Sequence, residues 1–152
     1  MSAPIPLPVA SPHTRLTLYY DGNCPFCLAE MKRMASWNHA GYLAFIDIAT
    51  PGFDPALLGT DMAALNLQLH SQTADGTLLV GIDSMLAAYP LVGKGWMVWP
   101  LRVGWLRPLL GYLYRQFARN RYRISAWLGY RPVVRCEAGV CQVGNPFLRE
   151  RP

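Results

Sequence analysis

Leu16-Thr17-Leu18-Tyr19-Tyr20 is an apolar and aromatic run that stops at Asp21-Gly22-Asn23 and gives way at once to Cys24-Pro25-Phe26-Cys27. The run reads as a buried strand and Asp-Gly-Asn as a turn. Proline is favoured at the first position of a helix, so Cys24 takes the N-cap and Pro25 the N1 position. From there Cys27, Leu28, Met31, Met34 and Ala35 recur at helical spacing opposite Glu30, Lys32 and Arg33, until Gly41 closes the element. Leu43 to Ile48 supplies a second strand. Strand, helix and strand in so short a span make a parallel crossover unit, which commits the chain to an α/β fold with a cysteine pair at the mouth of its first helix.

Further along, Pro51 to Thr60 reads as a loop with one helical turn at Pro55 to Leu58. Leu65, Leu67 and Leu69 then alternate with polar neighbours, so Leu65 to His70 is expected as a half-buried strand. Asp75-Gly76 signals a hairpin that Thr77 to Val80 completes, and after Gly81 a helix begins at Asp83 or Ser84 and runs to about Tyr89. Leu106, Leu109, Leu110, Leu113 and Phe117 mark another helix, with Arg115, Arg119 and Arg123 along a second face. The order is β-α-β, then β-β-α, with an added C-terminal helical segment. No period is visible from Arg131 to Pro152.

The chain has 152 residues, 52% of them hydrophobic and 15% charged, which excludes disorder and coiled coil and allows one sizeable core. Its net charge of +5 is unevenly spread: residues 1–101 hold 4 basic and 7 acidic residues, residues 102–152 hold 10 and 2. The second region therefore carries the positive charge, all of it arginine, and an acidic partner or an anionic membrane surface is a candidate for it. Solvation of a helix face is the plainer reading. Gly95 to Tyr114 is long enough to span a bilayer but contains Arg102, Arg107, Pro100 and Pro108, which make it a poor span. Trp96, Trp99 and Trp105 suit either a membrane interface or the rim of a soluble core. Met1 to Pro12 holds four prolines without a basic or apolar signal region, so residues 1–14 read as a flexible leader and the protein is expected in the cytoplasm.

In a reducing compartment, paired cysteines are more often catalytic or metal-binding than structural. Two cysteines three apart at a helix start lie on one side of it, close enough for their sulfurs to bond after small rotations. Cys24, beside unpaired N–H groups and the positive end of the helix dipole, is expected to be the nucleophilic thiolate. Cys27, one turn in, is expected to resolve the mixed disulfide. Half of a zinc site is the competing reading of such spacing. Asp21 either shapes the turn through its N–H groups or relays the proton that Cys27 must lose.

Tyr20-Asp21-Gly22-Asn23-Cys24-Pro25-Phe26-Cys27 resembles the D-x-x-C-x-x-C signature of the thiol-disulfide oxidoreductase DCC family. Asp75-Gly76 followed by Gly81, the tract Ala118 to Arg123 and the cysteines near the C-terminus are similar to that family's pattern, so the likeness spans about residues 16 to 145. It implies a thioredoxin-like fold, dithiol-disulfide exchange, and roles for Asp21, Cys24 and Cys27. Pro25-Phe26 resembles the glutaredoxin dipeptide, and Gly81 to Ser84 resembles the place where glutaredoxins hold the glutathione carboxylate. Pro25, Phe26, Gly81 and Ser84 are therefore expected to bind substrate, with Asp83 more suited to capping its own helix than to meeting an anion. The chain departs from thioredoxin-like proteins in one respect: Thr60 to Asn66 holds no proline where those proteins place a cis-proline opposite the dithiol.

Cys136 and Cys141 flank a glycine-containing segment. They are a candidate second redox pair, two ligands of a four-cysteine zinc site, or thiols without a common task. Arg119-Asn120-Arg121-Tyr122-Arg123 interleaves cations with an aromatic ring but is too short to indicate nucleic acid, and pairing with acids of the sheet is preferred. His13, His39 and His70 show no ligand spacing. The expected organisation is a leader at 1–14, a thioredoxin-like domain at 15–130 and a cysteine-containing tail at 131–152 packed on or near it. The expected activity is disulfide exchange with a protein or glutathione-like thiol, using no cofactor beyond the redox-active disulfide. The alternative is a zinc-stabilised basic interaction module that catalyses nothing.

Overall fold

The computed structural model describes residues 10–130 together with the backbone of residues 134–137 and 140–143. Most of the expected leader and much of the tail lie outside the described residues. A four-stranded sheet has the order β2-β1-β3-β4, built from β1 (Leu16–Tyr20), β2 (Leu43–Asp47), β3 (His70–Thr73) and β4 (Leu78–Val80). β1 runs parallel to β2, pairing Leu18 with Phe45, and antiparallel to β3, pairing Leu18 with Ser71. Helix α1 (Pro25–Trp37) makes the crossover between the parallel strands, and α3 (Ile82–Leu91) follows β4. This is the thioredoxin-like arrangement.

Alternation along β1 divides the core in two. Leu16, Leu18 and Tyr20 pack on one face with Met31 and Met34 of α1, Leu43 and Phe45 of β2, and Ala88 of α3. Tyr19 points the other way, into a smaller cluster with Ile48 and Leu65. α1 ends at Trp37, and the Asn38 side chain bridges to the start of β2, donating to the Leu43 carbonyl at 2.8 Å and accepting from its N–H at 3.1 Å.

Two expectations need correction. The expected strand at Leu65 to His70 is instead helix α2 (Met62–Leu67), with β3 beginning at His70. The alternation is not used in the fold: only Leu65 of the three leucines is buried in α2, Leu67 is exposed, and Asp61 starts the helix by accepting from the Ala64 N–H at 2.8 Å as an N-cap. At α3, Asp83 does not cap: Gly81 holds the N-cap position at φ 62°, a conformation that suits glycine, and Asp83 pairs with Arg107 at 2.5 Å. The long helix α4 (Arg107–Trp127) buries Gly111, Ala118, Arg121 and Ser125, while Leu109 and Leu113 of the leucine stripe are exposed. Its small residues allow close approach to the domain.

Beyond α4, β5 (Val134–Glu137) and β6 (Val140–Val143) form a separate antiparallel pair where no period was visible, with Cys136 opposite Cys141 in register. Valines at three of the eight positions favour this extended backbone. The side chains of both cysteines lie outside the described residues. Among the described residues, no helix is long and apolar enough to cross a membrane.

Candidate active site

The segment from Asp21 to Cys24 is knitted by its own backbone and by the neighbouring strand. The Cys24 N–H donates to the Asp21 carbonyl at 3.1 Å, the Asn23 N–H to Asp21 Oδ1 at 2.9 Å, and the Gly22 N–H to Asp47 Oδ1 of β2 at 2.9 Å. These bonds fix Cys24 at the N-cap of α1, with Pro25 in the first turn as expected. There the Cys24 sulfur does what a capping oxygen ordinarily does, accepting from the Cys27 N–H at 3.3 Å.

The two sulfurs lie 2.6 Å apart, with the Cys27 thiol donating to Cys24. That bond, helped by the Cys27 N–H and by the positive charge of Arg121, holds the Cys24 pKa below the ordinary thiol value despite burial and despite the Asp21 charge. Cys27 is pushed strongly upward, first by the same bond, then by burial and by the charge on Cys24. The contact and the opposite shifts make Cys24 the more acidic of the two thiols. Exposure is distributed the other way: Cys24 is 0% exposed, whereas Cys27 is partly exposed and borders a cavity of about 80 Å3.

Asp21 is buried beneath the pair, and its second oxygen accepts from Arg121 Nη2 at 2.9 Å and from the Tyr122 hydroxyl. No hydrogen bond joins Asp21 to either sulfur among the described residues, and Oδ1 is taken by the turn, so its contacts are those of a loop-shaping residue that anchors α4. Arg121 is only 8% exposed and also reaches Asn66 Oδ1 of α2 at 3.3 Å. Burial works against its charge, but Cys27, Asp21 and Tyr122 outweigh this and raise its pKa. Two turns further back, Tyr114 accepts from the Leu69 N–H at 2.8 Å, tying α4 to the entry of β3.

Sequence reasoning missed Arg121, Tyr122 and Tyr114 as site residues. A signal was present: Gly111, Tyr114, Ala118, Arg121 and Ser125 follow a 3-4-3-4 spacing, a stripe of mainly small residues that contains one arginine. Of the residues expected to bind substrate, Pro25 is partly exposed and Phe26 lines the cavity. Phe26 also packs edge-on against Phe117 of α4, with ring centroids 4.9 Å apart. Gly81 and Ser84 do not line that cavity. Ser84 is fully buried, accepting from Ser71 Oγ at 2.9 Å and donating to the Leu79 carbonyl at 3.0 Å, so it ties a helix to the sheet and offers nothing to a ligand. Among the described residues, no group of three or more His, Cys, Asp or Glu could hold a metal ion, and no peptide bond is cis.

Residues 18–127 match the sequence model of the family described as DCC1-like thiol-disulfide oxidoreductase, a span that includes the dithiol, Asp21 and Arg121. An uncharacterised chloroplastic protein of Arabidopsis thaliana is 26% identical over 113 residues, covering 73% of this chain and 53% of the plant protein. The chain therefore spans about half the length of that curated relative. No solved structure matches it significantly.

Proposed function

The chain belongs to the DCC1-like thiol-disulfide oxidoreductase family, and on that premise we propose that it exchanges disulfides through Cys24 and Cys27 with a protein or glutathione-like partner. The observation that carries this reading is the sulfur–sulfur contact: the Cys27 thiol donates to Cys24 at 2.6 Å and lowers its pKa. In the reducing direction the Cys24 thiolate attacks a substrate disulfide, forming a mixed disulfide and releasing one substrate thiolate. Cys27 then gives up its proton and attacks the Cys24 sulfur. The Cys24–Cys27 disulfide forms, the second substrate thiolate leaves, and two electrons have passed from protein to substrate. A dithiol donor restores the pair, and the same steps reversed oxidise a dithiol.

This chemistry draws on the two sulfurs and on no metal or organic group, and it suits a reducing compartment such as the cytoplasm. A second reading has its own observation. Cys27, and not Cys24, borders the cavity, so an incoming sulfur in that reading meets Cys27 first. Single serine variants distinguish the two. With a chromogenic aromatic disulfide, Cys27→Ser accumulates a stable mixed disulfide if Cys24 attacks, and Cys24→Ser accumulates it if Cys27 attacks. Failure of both variants to form an adduct, or stoichiometric zinc in protein purified without added metal, overturns the redox reading.

A further inference from the structure

The side of α4 turned away from Arg121 is unusual for an exposed helix. Leu109, Tyr112 and Leu113 are each more than half exposed, and the 3-10 segment Gly95–Arg102 and the turn after it add Trp96 at 73%, Trp99 at 64% and Trp105 at 80%. These tryptophans do not rim the core, which was one of the two readings of their sequence. Arg102, in the same 3-10 segment, and Arg115, Arg119 and Arg123, along α4, are exposed and form no ion pair among the described residues. From Ser84 to Tyr130 the sequence contains seven basic residues and no acidic one. Of those seven, Arg107 is paired with Asp83 and Arg121 with Asp21.

We propose that this face docks on the headgroup layer of an anionic phospholipid bilayer, with α4 lying in the plane of the surface. Tryptophan prefers the depth at which headgroups meet acyl chains, and leucine beside it adds buried apolar area. Each unpaired arginine near an anionic surface strengthens binding by roughly five-fold. A bilayer asks for apolar side chains and an excess of cations on one surface, and from Ser84 to Tyr130 the chain supplies both; the nearby Asp83 carboxylate is neutralised by Arg107 at 2.5 Å. A second copy of the chain is a poorer occupant, because a two-fold contact would set the same four unpaired arginines against each other. The reading is independent of the dithiol, whose side chains lie under the opposite face of α4.

The test is co-sedimentation of the full, reduced chain with vesicles of phosphatidylcholine alone and of phosphatidylcholine mixed with phosphatidylglycerol, read with tryptophan emission. Expected are binding and a blue shift with the anionic vesicles, at least ~10-fold stronger than with neutral ones and largely lost in about 0.5 M NaCl. Arg115→Glu with Arg119→Glu should weaken it by ~10-fold or more, and replacing Trp96, Trp99 and Trp105 together by Ser should largely remove the blue shift while leaving thiol reactivity unchanged. Equal binding to neutral vesicles, no binding to either, or a salt-insensitive dimer that buries the tryptophans without lipid would overturn the proposal. Preferential binding to an acidic polypeptide over anionic vesicles would do the same. The salt dependence needs no variant and decides the matter even if a substituted chain fails to fold.

Discussion

Arg121 of α4 donates at 2.9 Å to Asp21, which precedes it by one hundred residues and lies three positions before the first cysteine. Both groups are buried, so neither can recover its hydration if the other is lost. Arg121→Met is expected to lower unfolding stability by about 3–5 kcal/mol, because a buried carboxylate is left without its cation. Asp21→Asn keeps the turn-shaping oxygen yet strands the arginine, so it too should destabilise, whereas a residue serving the turn alone would tolerate it. Urea unfolding of both single variants and the double variant checks this. The double variant should be more stable than the two losses added together.

The opposite shifts at the two cysteines predict a maximum in the stability of the reduced protein. Cys24 has a folded pKa below its unfolded value, so its contribution is present above the unfolded value and is lost as pH falls through the folded one. Cys27 is raised, so its contribution is full below the unfolded value and is lost as pH rises further. Stability attributable to the pair therefore climbs with pH below the ordinary thiol value of 9.0 and declines above it. Denaturant unfolding under reductant across alkaline pH, referenced to a Cys24→Ser, Cys27→Ser chain, should show this peak. A monotonic difference would exclude opposite shifts at the two sulfurs.

What the sequence disclosed and what it concealed follow from the range of the interactions involved. The run from Leu16 to Ile48 was legible because strand alternation, the cap at Cys24 and helical spacing are all local. The leucines at 65, 67 and 69 misled because their alternation is fortuitous: Leu65 alone is buried in α2, Leu67 is exposed and Leu69 lies beyond the helix, and the Asp61 cap was the local signal that mattered. In α4, leucines at helical spacing suggested the buried side, but close packing placed the small residues inward and left Leu109 and Leu113 outside. Arg121 was hardest to recognise. It stands between Arg119 and Arg123 in a tract that was singled out, but its partner is remote in sequence, and only its place on the small-residue stripe distinguishes it from its neighbours.

Ser84 and Gly81 were expected at a ligand and are found holding the fold. Ser84→Ala removes the buried hydroxyl pair with Ser71 and should cost about 1–2 kcal/mol of stability while leaving the thiol exchange rate of the folded protein unchanged. At Gly81 a Cβ would stand 2.6 Å from Gln68 Oε1 on a backbone at φ 62°, so Gly81→Ala should destabilise as well. Exchange kinetics with a glutathione-sized disulfide, measured beside thermal unfolding, separate the two roles. A loss of rate at unchanged stability would return these residues to substrate binding.

The burial of Cys24 bears on how any reagent reaches it. A thiolate with no accessible surface reacts only in molecules whose local structure has opened, whereas partly exposed Cys27 can be met directly. In the Cys27→Ser chain, alkylation of Cys24 should therefore rise with reagent concentration and then level off at the rate of opening, once modification outpaces reclosing. In the Cys24→Ser chain, alkylation of Cys27 should stay proportional to reagent, with burial still raising its pKa once the Cys24 thiol and its charge are gone. Stopped-flow alkylation over a wide range of reagent concentration distinguishes these forms. A plateau at Cys24 makes opening of the site a step in the exchange reaction, ahead of the chemistry that the lowered pKa promotes. Proportional kinetics at Cys24 would mean that the sulfur is open in solution, and substrate would then need no prior movement of the chain to reach it.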